Sequence, residues 1–74
     1  MLTIYVYSQS SGKPVIHKRV HLDFGSDLFG SYLEEYTDSN GQASFNTEPR
    51  SGSVSVDGSV RYKGHLSGRI NVFI

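Results

Sequence analysis

Seventy-four residues, no cysteine, and seven Lys/Arg balanced by seven Asp/Glu bound what this chain can be. The length allows one domain over residues 1–74, with a small core that buries only about 60% of the surface exposed by the unfolded chain. Disulfides are excluded, and the zero net charge argues against a nucleic-acid or anionic-membrane binder while leaving little repulsion against self-association.

Met1 to Tyr7 lacks the basic start and the long apolar run of a secretory signal. No stretch approaches bilayer-spanning length. A cytoplasmic location is the expectation if the chain is a complete protein; an excised domain leaves the compartment unknown.

Leu2, Ile4 and Val6 alternate with Thr3, Tyr5 and Tyr7, predicting a strand with one aliphatic and one Thr/Tyr face. Ser8 to Pro14 reads as a loop, and Val15 and Ile16 start the return. Val20, Leu22 and Phe24 then share a face opposite Arg19, His21 and Asp23, before Gly25-Ser26-Asp27 breaks the pattern. Leu28 to Tyr36 fits two descriptions. Leu28, Phe29, Tyr32, Leu33 and Tyr36 fall at helical spacing, but Gly30 and the short length favour a strand with Tyr32, Glu34 and Tyr36 on one side.

Tyr36 to Phe45 reads as strand, tight turn, strand: Asp38, Ser39 and Asn40 are turn formers, Gly41 can take a positive φ, and Ala43 and Phe45 resume the alternation. Thr47 to Gly52 is expected to be a loop. Val54 and Val56 point inward, and Asp57-Gly58 is a strong hairpin pair. Val60, Tyr62 and Leu66 mark a further strand interrupted at Gly64. In the last strand Ile70, Val72 and Ile74 face the core while Asn71 and Phe73 point away. Short strands separated by regular turn signals predict an all-β fold, a small Greek-key β-sandwich of about seven strands.

Several of these segments recur together, in order, in a known group. The first strand, Ser11-Gly12-Lys13-Pro14-Val15, Val20-x-Leu22, Thr37-Asp38-Ser39-Asn40-Gly41-x-Ala43-x-Phe45 and Pro49-x-x-Gly52-x-Val54-x-Val56 resemble the carboxypeptidase regulatory-like, or transthyretin-like (prealbumin-like), β-sandwich domains. The layout is also similar to the B-type repeats of bacterial collagen adhesins. The resemblance covers nearly the whole chain and implies two sheets with the first and last strands as neighbours. Two departures matter. The adhesin repeats often form an isopeptide bond from a first-strand lysine, and Leu2 to Tyr7 has none. Transthyretin-like hydrolases carry a Tyr-Arg-Gly-Ser tail, whose nearest match here is the internal Arg61-Tyr62-Lys63-Gly64, which argues against carrying that activity over.

Candidate chemistry is sparse. His17, Arg19, His21 and Asp23, two apart, are expected on one strand face, a second candidate surface for a metal or an anion. The two imidazoles would stand about 13 Å apart, too far to share an ion, so no metal or other cofactor is expected. No phosphate loop or nucleophile elbow appears, and Glu34 and Glu35 point to opposite faces of a strand. The first-choice surface is aromatic: Tyr5 and Tyr7 outward on the first strand, with Phe73 on the last. The expectation is a noncatalytic interaction or structural module that binds a protein partner or itself, not nucleic acid or membrane. A carbohydrate-binding module using the tyrosines is the alternative, and a small transthyretin-like hydrolase using His17, His21 and Arg19 or His65 is a third reading.

Overall fold

The computed structural model describes residues 1–25 and 32–74. The regular elements there are strands: β1 (Leu2–Tyr7), β2 (Arg19–Asp23), β3 (Tyr32–Tyr36), β4 (Gln42–Phe45), β5 (Arg50–Val56), β6 (Ser59–Leu66) and β7 (Arg69–Phe73). They form a three-stranded sheet, β4-β1-β7, and a four-stranded sheet, β3-β2-β5-β6. The fold is an all-β sandwich, with seven short strands among the described residues, and its first and last strands are neighbours, paired in parallel.

Period-two alternation turns one side of each strand inward. Leu2, Ile4 and Val6 of β1 meet Ala43 and Phe45 of β4 and Ile70 and Val72 of β7. Val20, Leu22, Phe24, Val54, Val56 and Leu66 face them from the other sheet, and all of these side chains are buried. Val15, Tyr62 and Ile74 close the rim of the core. Residues 32–36 are strand, as the alternation favours; residues 28–31 of the ambiguous segment, and Ser26 and Asp27 of the preceding turn, lie outside the described residues.

The turn at Asp38–Gly41 has the expected chemistry but a different destination. The Asp38 carboxylate accepts hydrogen bonds from the Asn40 and Gln42 amides at 2.8 and 3.1 Å, and Gly41 sits at φ 74°. The strands it joins belong to different sheets, so it is a crossing between layers rather than a strand-to-strand return within one sheet. Close packing explains why this position is glycine. A Cβ at Gly41 would lie 2.7 Å from the Pro14 Cβ and 3.0 Å from the Val6 carbonyl oxygen.

The 8–18 loop returns along β1 only briefly. Pro14 bridges Tyr7 and the Val15 amide donates to the Val6 carbonyl, but Ile16 is exposed and the strand resumes at Arg19. Thr37 holds this loop. Its hydroxyl accepts from the Lys18 amide at 2.9 Å and donates to the Val15 carbonyl at 2.8 Å, and it is the one buried polar side chain among the described residues.

Two further expectations are corrected. Arg50, Ser51 and Gly52 belong to β5 rather than to a loop, because they pair with Leu66, His65 and Gly64. By the same pairing Gly64 does not interrupt β6. Asp57 and Gly58, both at positive φ, form the two-residue hairpin turn. The register then shifts between Val54 and Ser55: Tyr62 lies opposite Val54, but Val60 lies opposite Ser55, leaving Arg61 as the extra residue of a bulge. Val60 consequently faces solvent while Tyr62 and Leu66 face inward.

Candidate functional site

β1 is the middle strand of its sheet, so its outward residues have neighbours on both sides. The parallel register sets Thr3 beside Arg69, Tyr5 beside Asn71 and Tyr7 beside Phe73. Tyr7 and Phe73 stack with ring centroids 5.6 Å apart and planes 29° apart. The Arg69 guanidinium lies 3.9 Å from the centroid of the Tyr5 ring, and its Nε donates to the Asn71 side-chain oxygen at 3.4 Å. All three sequence-predicted aromatic residues therefore sit on one outer face. They differ in cover: Phe73 is 50% exposed, whereas Tyr5 and Tyr7 are half-buried beneath Arg69 and Phe73. The result is a shallow aromatic surface bordered by a guanidinium and an amide. Such a surface buries apolar area with little loss of side-chain entropy and offers hydrogen bonds at its border.

The second candidate face is rearranged relative to expectation. His17 is not on it. This residue adopts φ 57° two positions before β2, and its amide donates to the Thr37 carbonyl at 3.0 Å. Arg19 and His21 do project outward together, and the antiparallel register brings Glu34 of β3 opposite His21. Glu34 Oε2 lies 3.3 Å from His21 Nδ1 and 3.9 Å from Arg19 Nε. The His21 ring stacks on Tyr32 at 4.8 Å, and Tyr36 lies beside Arg19. Arg19 and His21 thus share a carboxylate of the same domain, which reduces what the pair can offer to an external anion. Exposed pairs of this kind contribute only about 0–1 kcal/mol to stability.

His65 is remote from both other histidines. It pairs with Ser51 while His21 pairs with Ser55, so the two are separated by the width of β5 and by about 13 Å along it. His17, His21 and His65 do not converge on one pocket. Among the described residues, no group of three or more His, Cys, Asp or Glu side chains could hold a metal ion.

Sequence reasoning missed Glu34 as the carboxylate beside Arg19 and His21. It also missed the exposed Tyr32 and Tyr36 as a second pair of outward rings. Their signal was the Tyr32-x-Glu34-x-Tyr36 alternation, which points all three outward once Leu33 is aligned with Leu22. Near the end of β2 an open depression of about 480 Å³ is lined by Asp23, Phe24, Ser53 and Lys63, with Gly52 and Gly64 leaving space between them. The Asp23 carboxylate there already accepts the Gly25 amide at 2.9 Å.

Compared with protein-family models, with curated proteins and with solved structures, the chain matches none.

Proposed function

We propose that this chain is a noncatalytic β-sandwich binding module of the transthyretin-like kind, and that its contact surface is the outer face of the β4-β1-β7 sheet, centred on Tyr7 and Phe73, with a protein as partner. The observation that carries the reading is the stacked, half-exposed Tyr7–Phe73 pair beside the Arg69–Tyr5 contact. Aromatic and arginine side chains held rigidly on a sheet are the residue types that dominate binding energy at protein interfaces. The transthyretin-like assignment is supported by seven strands in two sheets with β1 and β7 adjacent. The scatter of His17, His21 and His65 leaves the hydrolase reading without a converging set of groups.

The test compares two double variants as bait in an extract of the native host. Tyr7→Ser/Phe73→Ser should lose a protein retained by the wild type, and Tyr32→Ser/Tyr36→Ser should keep it. Equal retention by both variants removes the proposed surface. A carbohydrate reading draws on the Arg69 and Asn71 polar groups beside flat rings. It predicts retention on a polysaccharide that Tyr7→Ala abolishes, and silence across a glycan panel disposes of it.

A further inference from the structure

A sandwich of two open sheets has four edges, and three of them here carry features that discourage pairing. β3 places Glu35 on the inner side of its sheet, opposite Val20. β6 has the Arg61 bulge, and Lys63 follows it. β4 is only four residues long. Inward charges, bulges and short length are established ways of blunting an edge. β7, five residues long, has neither an inward charge nor a bulge: Arg69–Phe73 is regular, free of proline, and carries only Ile70 and Val72 on its inner side.

The direction of its backbone groups follows from the parallel register with β1. Thr3 donates to the Gly68 carbonyl and Ile74 donates to the Tyr7 carbonyl, which sets the alternation between the two strands. Ile70, Val72 and Ile74 therefore direct their N–H and C=O groups toward β1. Those of Arg69, Asn71 and Phe73 point away from it, and among the described residues no strand lies on that side.

We propose that the β7 edge pairs with β7 of a second copy of this chain, antiparallel about a two-fold axis through Asn71, joining two three-stranded sheets into one. The strand is self-complementary in that register. Asn71 meets Asn71 of the second copy as a hydrogen-bonded pair, and Arg69 meets Phe73, again with both backbone bonds exchanged. On the outer side each guanidinium lies beside an aromatic ring, a favourable contact. On the inner side Ile70 meets Val72, so the apolar layer continues across the axis. A zero net charge opposes none of this. The interface is isologous, as a closed dimer requires. It goes beyond the binding face proposed above, since it uses the strand's edge and leaves the Tyr7 ring facing outward.

The test is sedimentation of the wild type and two Asn71 variants, with amide exchange read at low and high protein concentration. The wild type should show a monomer–dimer equilibrium. Asn71→Pro removes a donor that faces away from β1, a position where an edge strand tolerates proline. It should stay folded by circular dichroism and dimerise at least about tenfold more weakly, a loss of about 1.4 kcal/mol. Asn71→Lys, which sets like charges opposite each other across the axis, should weaken the dimer in the same direction without proline's backbone constraint. Amides of Arg69, Asn71 and Phe73 should gain protection as concentration rises, while Ile70 and Val72 are protected throughout. A wild type that is monomeric at millimolar concentration overturns the proposal. So does a dimer unaffected by both Asn71 variants. If that dimer dissociates in Tyr7→Ser/Phe73→Ser, the contact is made by the face and not the edge, and the binding-face reading survives alone.

Discussion

At the scale of single residues, the buried Thr37 is the side chain that ties the 8–18 loop to the rest of the fold. Thr37 satisfies the Lys18 amide and the Val15 carbonyl with a single hydroxyl at 2% exposure. Thr37→Val keeps the shape and strands both backbone groups, which should cost about 1–3 kcal/mol in urea unfolding. Thr37→Ser should retain most of the stability; equal losses in the two variants would mean that the hydroxyl does not hold the loop. The glycines offer a cleaner comparison, because Gly41 and Gly58 both sit at positive φ and differ in what surrounds them. A Cβ at Gly58 would meet nothing within 4 Å, whereas at Gly41 it runs into Pro14. Gly58→Ala thus measures backbone strain alone. Gly41→Ala adds overpacking, and should be the more destabilising by about 1–3 kcal/mol in the same assay.

At the scale of elements, alternation identified which strands exist and which side of most of them is buried, because each inward set of aliphatic side chains requires it. Leu2-x-Ile4-x-Val6, Val20-x-Leu22 and Ile70-x-Val72 were legible for that reason. A bulge defeats the same logic, since one extra residue reverses the side-chain direction without changing the composition. Val60 is the case in point: its spacing from Tyr62 assigns it to the core, and Arg61 turns it out to 62% exposure. His17 fails comparably, since a positive φ before β2 removes it from a face that its spacing shares with Arg19 and His21. The structure therefore predicts opposite outcomes for two aliphatic residues on two strands of the same sheet, separated by β5. Val60→Thr should change unfolding free energy by less than about 0.5 kcal/mol. Leu22→Ala, in the middle of β2, should cost about 2–5 kcal/mol. A large loss at Val60 would show that β6 pairs without the bulge.

At the scale of the whole molecule, the division into two layers was less legible than the strands themselves. An Asp-x-x-Gly turn has the same local hydrogen bonds whether it joins neighbours in a sheet or carries the chain across the sandwich, so nothing within Asp38–Gly41 marks the crossing. What closes the fold is remote pairing. β1 holds the three-stranded sheet together, yet its partners β4 and β7 lie far along the chain, while β5 and β6 meet through a two-residue turn. Loop-closure entropy opposes the remote contacts until local ones have restricted the chain, and domains dominated by such pairings fold in about milliseconds to seconds. The order of events follows. On that argument the β5–β6 hairpin is expected in the folding nucleus, with the parallel β1–β7 seam forming after the rate-limiting step. Val54→Ala should therefore slow folding, whereas Val72→Ala, equally buried, should mainly speed unfolding. Stopped-flow chevrons of the two variants separate these effects. A Val72→Ala folding limb slowed as much as that of Val54→Ala would place the seam in the nucleus, and with it the sheet whose outer face carries Tyr7 and Phe73.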